Sequence, residues 1–191
     1  NDFNYYILLK RKSVKNVSVH QETIKTYLDY FEDSFLIQKA DRYDVKGKKY
    51  ISTPAKYYFT DVGLRNTRLN FRQFEEPHIM ENIIYNELII RGYNVDVGVV
   101  EYNYYEDNKR KQKKLEVDFV CNQGSKRIYI QSALSLPTTE KEEQEQQSLG
   151  KINDSFKKII IVKDGPTHYN ENGIFILNLF EFLMDQDSIN K

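Results

Sequence analysis

Apolar residues recur at helical spacing from Ile24 through Tyr27, Leu28 and Phe31 to Phe35, which predicts an amphipathic helix over 18–37. Ser18 and Gln21 stand at capping-box spacing at its start, where hydroxyl and amide can satisfy free backbone N–H groups. The period then changes. Gln38 to Tyr43 and Lys49 to Phe59 predict two strands around the polar turn Asp44-Val45-Lys46-Gly47-Lys48. Residues 61–66 suggest a short turn or helix closing this unit. Phe3 to Leu9 resemble the middle of an earlier helix, so a longer polypeptide is expected. Two helices followed by a hairpin make a winged-helix pattern.

A polar stretch over 70–78, with Pro77, places a boundary near residue 72. The next helix is predicted over 78–91, stopped by Gly92. Tyr93 to Tyr104, Leu115 to Cys121 and Arg127 to Leu134 follow as strands, the first two joined by a tip too charged to be buried. A helix over 139–151, β runs at 158–162 and 173–177, and a terminal helix at 179–184 complete the order αβββαβ(βα). The expected fold class is α/β (α+β): a winged helix over 1–72, then a mixed central sheet flanked by helices over 73–191.

Lys+Arg and Asp+Glu both number 28, so a nucleic-acid surface would have to come from local segregation of charge. Cys121 is the only cysteine, which excludes an internal disulfide and predicts a reducing, cytoplasmic setting. No apolar stretch approaches the ~20 residues needed to span a bilayer, so no membrane partner is expected. Gly124-Ser125-Lys126 lacks the first glycine and the following Ser/Thr of a phosphate-binding loop, so no ATP site is expected within the chain. His20, His78 and His168 lack metal-ligand spacing.

Three stretches carry candidate chemistry: Met80-Glu81-Asn82, Glu116-Val117-Asp118-Phe119-Val120 and Tyr129-Ile130-Gln131-Ser132-Ala133. Strand residues two apart share a face, so Lys114, Glu116 and Asp118 alternate against Leu115, Val117 and Phe119, and Asp118 can meet Gln131 across adjacent strands. Glu81 lines up with Ile84, Tyr85 and Leu88, along an apolar stripe where a carboxylate needs a partner or a metal. Mg²⁺ or Mn²⁺ takes oxygen ligands, polarises a scissile phosphate and lowers the pKa of bound water. Glu81 and Asp118 are the candidate ligands, and Glu81, Asp118 and Gln131 the candidate catalytic set. A nearby ammonium would steady developing charge, but the expected lysine slot holds Ala133; Lys114 and Lys126 are candidate substitutes. Plain structural roles fit the same residues: Glu81 as a first-turn acid favoured by the helix dipole, Glu116 and Asp118 as the solvated face of an edge strand.

Basic residues cluster in Lys10, Arg11, Lys12 and Lys15, in the predicted wing, and in the charged tip from Lys109 to Lys114. If wing and tip share a side, Arg42, Lys46, Lys48, Lys49, Lys111, Lys113 and Lys114 are the expected DNA contacts. The exposed face of the 18–37 helix, with Glu22, Lys25, Asp29, Glu32 and Asp33, is mostly acidic and so unfavourable toward phosphate.

Lys56-Tyr57-Tyr58-Phe59-Thr60-Asp61-Val62-Gly63-Leu64-Arg65-Asn66, Met80-Glu81-Asn82 with Glu87-Leu88 and Arg91-Gly92-Tyr93, Glu116 to Val120, and Tyr129-Ile130-Gln131 together resemble the C-terminal region of prokaryotic AAA-type ATPases, described as a domain of unknown function. The resemblance runs over nearly the whole chain. It implies an upstream ATPase module of the same polypeptide, which would hold the ATP. It also implies a winged helix and a domain similar to the PD-(D/E)XK restriction-endonuclease and Holliday-junction-resolvase fold. Glu81 matches the acid of the first helix, Asp118 the metal-binding aspartate and Gln131 the Glu/Gln of the third motif, while Ala133 replaces the lysine. The expected function is a DNA- or partner-recognition module with a degenerate nuclease-like centre. The alternatives are a Mg/Mn-dependent DNase and a protein-interaction module docking on its ATPase.

Overall fold

The computed structural model describes residues 20–52, 54–68, 70, 75–106 and 108–191. The apolar run Phe3 to Leu9, the basic cluster Lys10 to Lys15 and the capping residue Ser18 lie outside the described residues. Helix α1 spans Gln21–Asp33 behind His20 as N-cap. It stops before Phe35, because Phe35 takes a left-handed φ of 57° and turns the chain into a strand. Of its apolar stripe, Leu28 is buried while Tyr27, Phe31 and Phe35 are exposed.

The expected hairpin forms, but it is shared between two sheets. Its strands are β1 (Ile37–Ala40), β2 (Arg42–Asp44), β3 (Lys49–Tyr50) and β4 (Lys56–Phe59). The inner half pairs β1 with β4. The outer half pairs β2 with β3, and β2 also runs parallel to β5 (Asn94–Glu106). Asp41 marks the division: its carbonyl accepts a hydrogen bond from the Val97 N–H at 2.8 Å. In the turn, the Asp44 carboxylate accepts from the Lys46 and Gly47 N–H groups, the local bonding that makes aspartate a turn former. Helices α2 (Val62–Arg68) and α3 (Glu76–Ile90) follow.

The larger sheet has eight strands in the order β3-β2-β5-β6-β7-β8-β10-β9. Its remaining strands are β6 (Lys109–Gln123), β7 (Lys126–Ser135), β8 (Lys157–Asp164), β9 (His168–Tyr169) and β10 (Phe175–Asn178). Strands β5, β6 and β7 are antiparallel neighbours, and β7, β8 and β10 run parallel, so the sheet is mixed. Helices α4 (Thr139–Gly150) and α5 (Leu179–Met184) complete five α-helices among the described residues.

Two apolar layers hold the sheet. On one face Ile84, Tyr85 and Leu88 of α3 and Phe182 of α5 pack on Phe119, Ile130 and Ile159. On the other, Leu149 of α4 packs with Val117, Val120, Tyr129 and Ile160. Each such side chain contributes about 1.5–3 kcal/mol on burial. No helix among the described residues is long and apolar enough to cross a membrane.

One irregularity aims the candidate site. Asp96 pairs with Val120 and Gly98 with Val117, so Asp118 and Phe119 together oppose the single residue Val97. This is a β-bulge on β6, and bulges re-aim side chains. Val117 and Val120 therefore both face α4, and Phe119 faces α3. The simple alternation expected across 114–119 breaks here. Gly98 permits the close approach, since a Cβ there would lie 2.8 Å from Val120 Cγ2 and 2.9 Å from Val117 Cβ.

Candidate functional site: a buried carboxylate cluster

Helix α3 opens with Pro77, whose fixed φ and missing N–H suit a first turn. Two side chains of its next turn bind β4. Asn82 accepts from the Phe59 N–H at 2.9 Å and donates to the Phe59 carbonyl at 2.7 Å, standing in for a neighbouring strand. Glu81 accepts from the Tyr58 hydroxyl at 2.6 Å and from the Lys56 ammonium at 3.0 Å. Lys56 and Tyr58 are two apart on β4 and so reach the same side.

The Lys56 ammonium also lies 2.6 Å from Glu116 Oε1, and the other Glu116 oxygen pairs with Arg42. Lys56 thus bridges the acid of α3 and an acid of β6 with a side chain only 8% exposed. Strands β2, β4 and β6 and helix α3 all meet in this network.

Asp118 sits beside it. The β6–β7 ladder stops at Phe119 and Ile130, leaving the Ser132 N–H free to donate to Asp118 Oδ2 at 2.8 Å; the Ser132 hydroxyl donates to the same oxygen at 2.7 Å. Burial and the Glu81 charge push the Asp118 carboxyl up to about 7, against the opposing pull of Lys56 and Ser132. The cluster sets Glu81 and Glu116 against Lys56 and Arg42, and burial favours the protonated form of Asp118 beside them. Tyr58 stacks on Tyr85 with ring centroids 4.0 Å apart. Burial and Glu81 raise its phenol well above the usual range, so it remains an O–H donor.

The structure brings Glu81 and Asp118 together on the α3 side. Gln131 shares a strand face with Tyr129 and Ala133, which pack in the layer under α4. Its side-chain oxygen lies 3.4 Å from the Ser148 hydroxyl of α4 and 3.4 Å from the Asp118 N–H. Gln131 therefore touches the Asp118 backbone from the opposite face. Lys114 pairs with Glu101 at 2.5 Å, and Lys126 is exposed at the start of β7. The ammonium at the carboxylates is Lys56, which the sequence places in the family-like motif but not among the expected site residues. Its signal was an inward position, beside Tyr58, in an alternating strand. Ser132 was missed because strand alternation gave no warning of the bulge.

Among the described residues, no group of three or more His, Cys, Asp and Glu side chains is set to hold a metal ion. An ammonium already fills the point between Glu81 and Glu116, and Ser132 engages Asp118 Oδ2. As arranged, these residues do not fit Mg²⁺ or Mn²⁺.

The basic residues divide by setting. Arg42 is held inward by Glu116 and by the Pro54 carbonyl. Lys46, Lys48 and Lys49 are exposed around the β2–β3 turn. Lys111 pairs with Glu106 at 2.5 Å, and Lys113 is exposed. Because β2 runs parallel to β5, the β2–β3 turn and the β5–β6 tip leave the sheet at the same end.

Comparison with known proteins gives two family matches: residues 5–75 to a domain of unknown function, DUF8612, and residues 77–182 to a domain of unknown function, DUF4143. An uncharacterized protein of Haemophilus influenzae is 33% identical over 170 residues, covering 89% of this chain and 39% of the relative. An uncharacterized protein of Methanocaldococcus jannaschii is 32% identical over 127 residues, covering 66% of this chain and 26% of the relative. The chain thus spans well under half the length of these relatives. No solved structure matches it significantly. With its helices, mixed sheet and carboxylate cluster lying largely inside the 77–182 match, which covers more than half of its length, the chain belongs to the DUF4143 family.

Proposed function

We propose that this chain is a DNA-recognition module of a longer prokaryotic AAA-type ATPase polypeptide, with a nuclease-like centre neutralised by its own cations. The observation that carries the silent centre is Lys56 bridging Glu81 and Glu116 at 3.0 and 2.6 Å. A nuclease keeps its acids open to a metal and its water; here an ammonium from β4 sits on Glu81, one expected ligand, and Ser132 engages Asp118, the other. The order α3-β5-β6-β7-α4-β8, with an acid on the helix and an aspartate at the bulge, supports a restriction-endonuclease-like reading of 73–191. Helix α1 with its hairpin supports a winged-helix reading of 1–72, although β2 and β3 are lent to the larger sheet. The unmatched length of the two relatives leaves room for a further module such as an ATPase. Recognition of DNA is supported by Lys46, Lys48, Lys49, Lys111 and Lys113 at one end of the sheet, where they can neutralise phosphates.

Incubation of supercoiled plasmid with the chain and Mg²⁺ or Mn²⁺ tests the centre. No nicking above background is expected, and the Asp118→Ala variant should match the parent. Mn²⁺-dependent nicking that Asp118→Ala abolishes would overturn the silent-centre reading. Duplex binding that falls steeply with salt, and weakens on charge reversal of Lys46, Lys48 and Lys49, supports DNA recognition. Absence of salt-sensitive binding would overturn it in favour of docking on a protein partner.

A further inference from the structure

The β5–β6 ribbon has two unlike faces. Residues directly opposite in an antiparallel pair share a face, and faces alternate along each strand. Tyr102 pairs with Lys113, Tyr104 with Lys111 and Glu106 with Lys109, so these six side chains share one face. The Lys151 ammonium, at the end of α4, lies 5.2 Å from the Tyr102 ring centroid and adds a further cation. Within the ribbon this face sets Lys109, Lys111 and Lys113 against Glu106 alone among the described residues, Lys111 being paired with that glutamate. The opposite face pairs Glu101 with Lys114 and accepts a hydrogen bond from Gln112 on the same carboxylate.

We propose that the α4-side face of this ribbon binds single-stranded nucleic acid, its lysines on the phosphates and Tyr102 and Tyr104 stacking on unpaired bases. The inference deepens the DNA-recognition reading and rests on it. Charge complementarity favours a polyanion, but lysines alone would serve any phosphate backbone equally. The tyrosines decide the class. Their rings lie 6.2 Å apart and tilted by 42°, each cross-strand from a lysine on a partly exposed ribbon. Duplex DNA hides its base faces within the stack, whereas a single strand offers one flat face per nucleotide. The Tyr102 ring face already meets one cation, Lys151, the attraction expected of an aromatic face.

Fluorescence anisotropy of the full chain tests the assignment, with oligothymidine DNA, oligouridine RNA and a duplex of equal length across a salt series. Tighter binding of either single strand than of duplex is expected. Tyr102→Ala and Tyr104→Ala should each weaken single-strand binding about tenfold, with Tyr104→Phe near the parent and the circular dichroism spectrum unchanged. Lys111→Gln with Lys113→Gln should flatten the salt dependence by about two phosphate contacts. Duplex preference with no effect of the tyrosine variants would overturn this assignment and leave the DNA-recognition reading standing. No binding of any of the three probes would overturn both.

Discussion

Lys56 and Lys113 show two ways in which one fold holds the same charge. Lys56 is buried between Glu81 and Glu116, within the network that Tyr58, Ser132 and Arg42 complete. Lys113 stands exposed on a two-stranded arm beside Tyr102. Inside, a charge must be matched by fixed groups, because the desolvation penalty runs to several kcal/mol per ion. Outside, water and salt screen the charge, and it can exchange its counterions for a ligand's phosphates. A cluster of buried acids is therefore not by itself a metal site. What fills the space between the acids decides.

Breaking the buried side should have the largest effect. Lys56→Met leaves Glu81 and part of Glu116 uncompensated, and is expected to cost about 3–5 kcal/mol in urea unfolding. A cost below about 1 kcal/mol would mean that water already reaches the cluster.

Asp118→Asn acts next, and its sign depends on pH. The folded chain holds the Asp118 proton up to about 7, while the unfolded chain releases it near 4. Between these values the folded state binds more protons, so this group's contribution to stability grows as pH falls below 7 and is lost as pH rises through 7. The asparagine should be more stable than the parent at pH 8, on the order of 2 kcal/mol, and should flatten the slope between pH 5 and 7. Thermal unfolding across that range checks both statements. Tyr58→Phe removes a hydrogen bond to the Glu81 carboxylate and should cost about 1.5 kcal/mol in the same assay.

The exposed side should barely register in stability. Lys113→Gln and Tyr104→Ala are expected to change unfolding free energy by no more than about 0.5 kcal/mol. The same substitutions should lower oligonucleotide affinity. If they instead unfold the chain, the ribbon is a structural element and the contrast with Lys56 fails.

The α/β class and most helices were legible because their signals are local. The terminal helix was expected at 179–184 and spans Leu179–Met184; the helix expected at 139–151 spans Thr139–Gly150. Periodicity within one segment is enough for that. The α1 stripe misled by about one turn past Asp33, because Phe35 leaves the helical region of backbone space. Pairing between distant segments was not legible. Nothing in Arg42 to Asp44 announces a parallel partner in Val97 to Val99. Reading Arg42 as a phosphate contact used its charge, whereas its setting came from Glu116, 74 positions away. The candidate site was half visible for the same reason. Glu81 and Asp118 stood out by residue type and spacing, but the bulge opposite Val97 and the reach of Lys56 from β4 are long-range facts.

The most direct measurement is a double-mutant cycle on Lys56→Met and Glu81→Gln, read by urea unfolding at pH 7. If Lys56 neutralises Glu81 in the buried cluster, the pair should show a coupling of about 2 kcal/mol, the double variant being far less destabilised than the sum of the singles. Costs that add to within about 0.5 kcal/mol would show that the two charges do not depend on each other, and the internally neutralised centre would have to be abandoned.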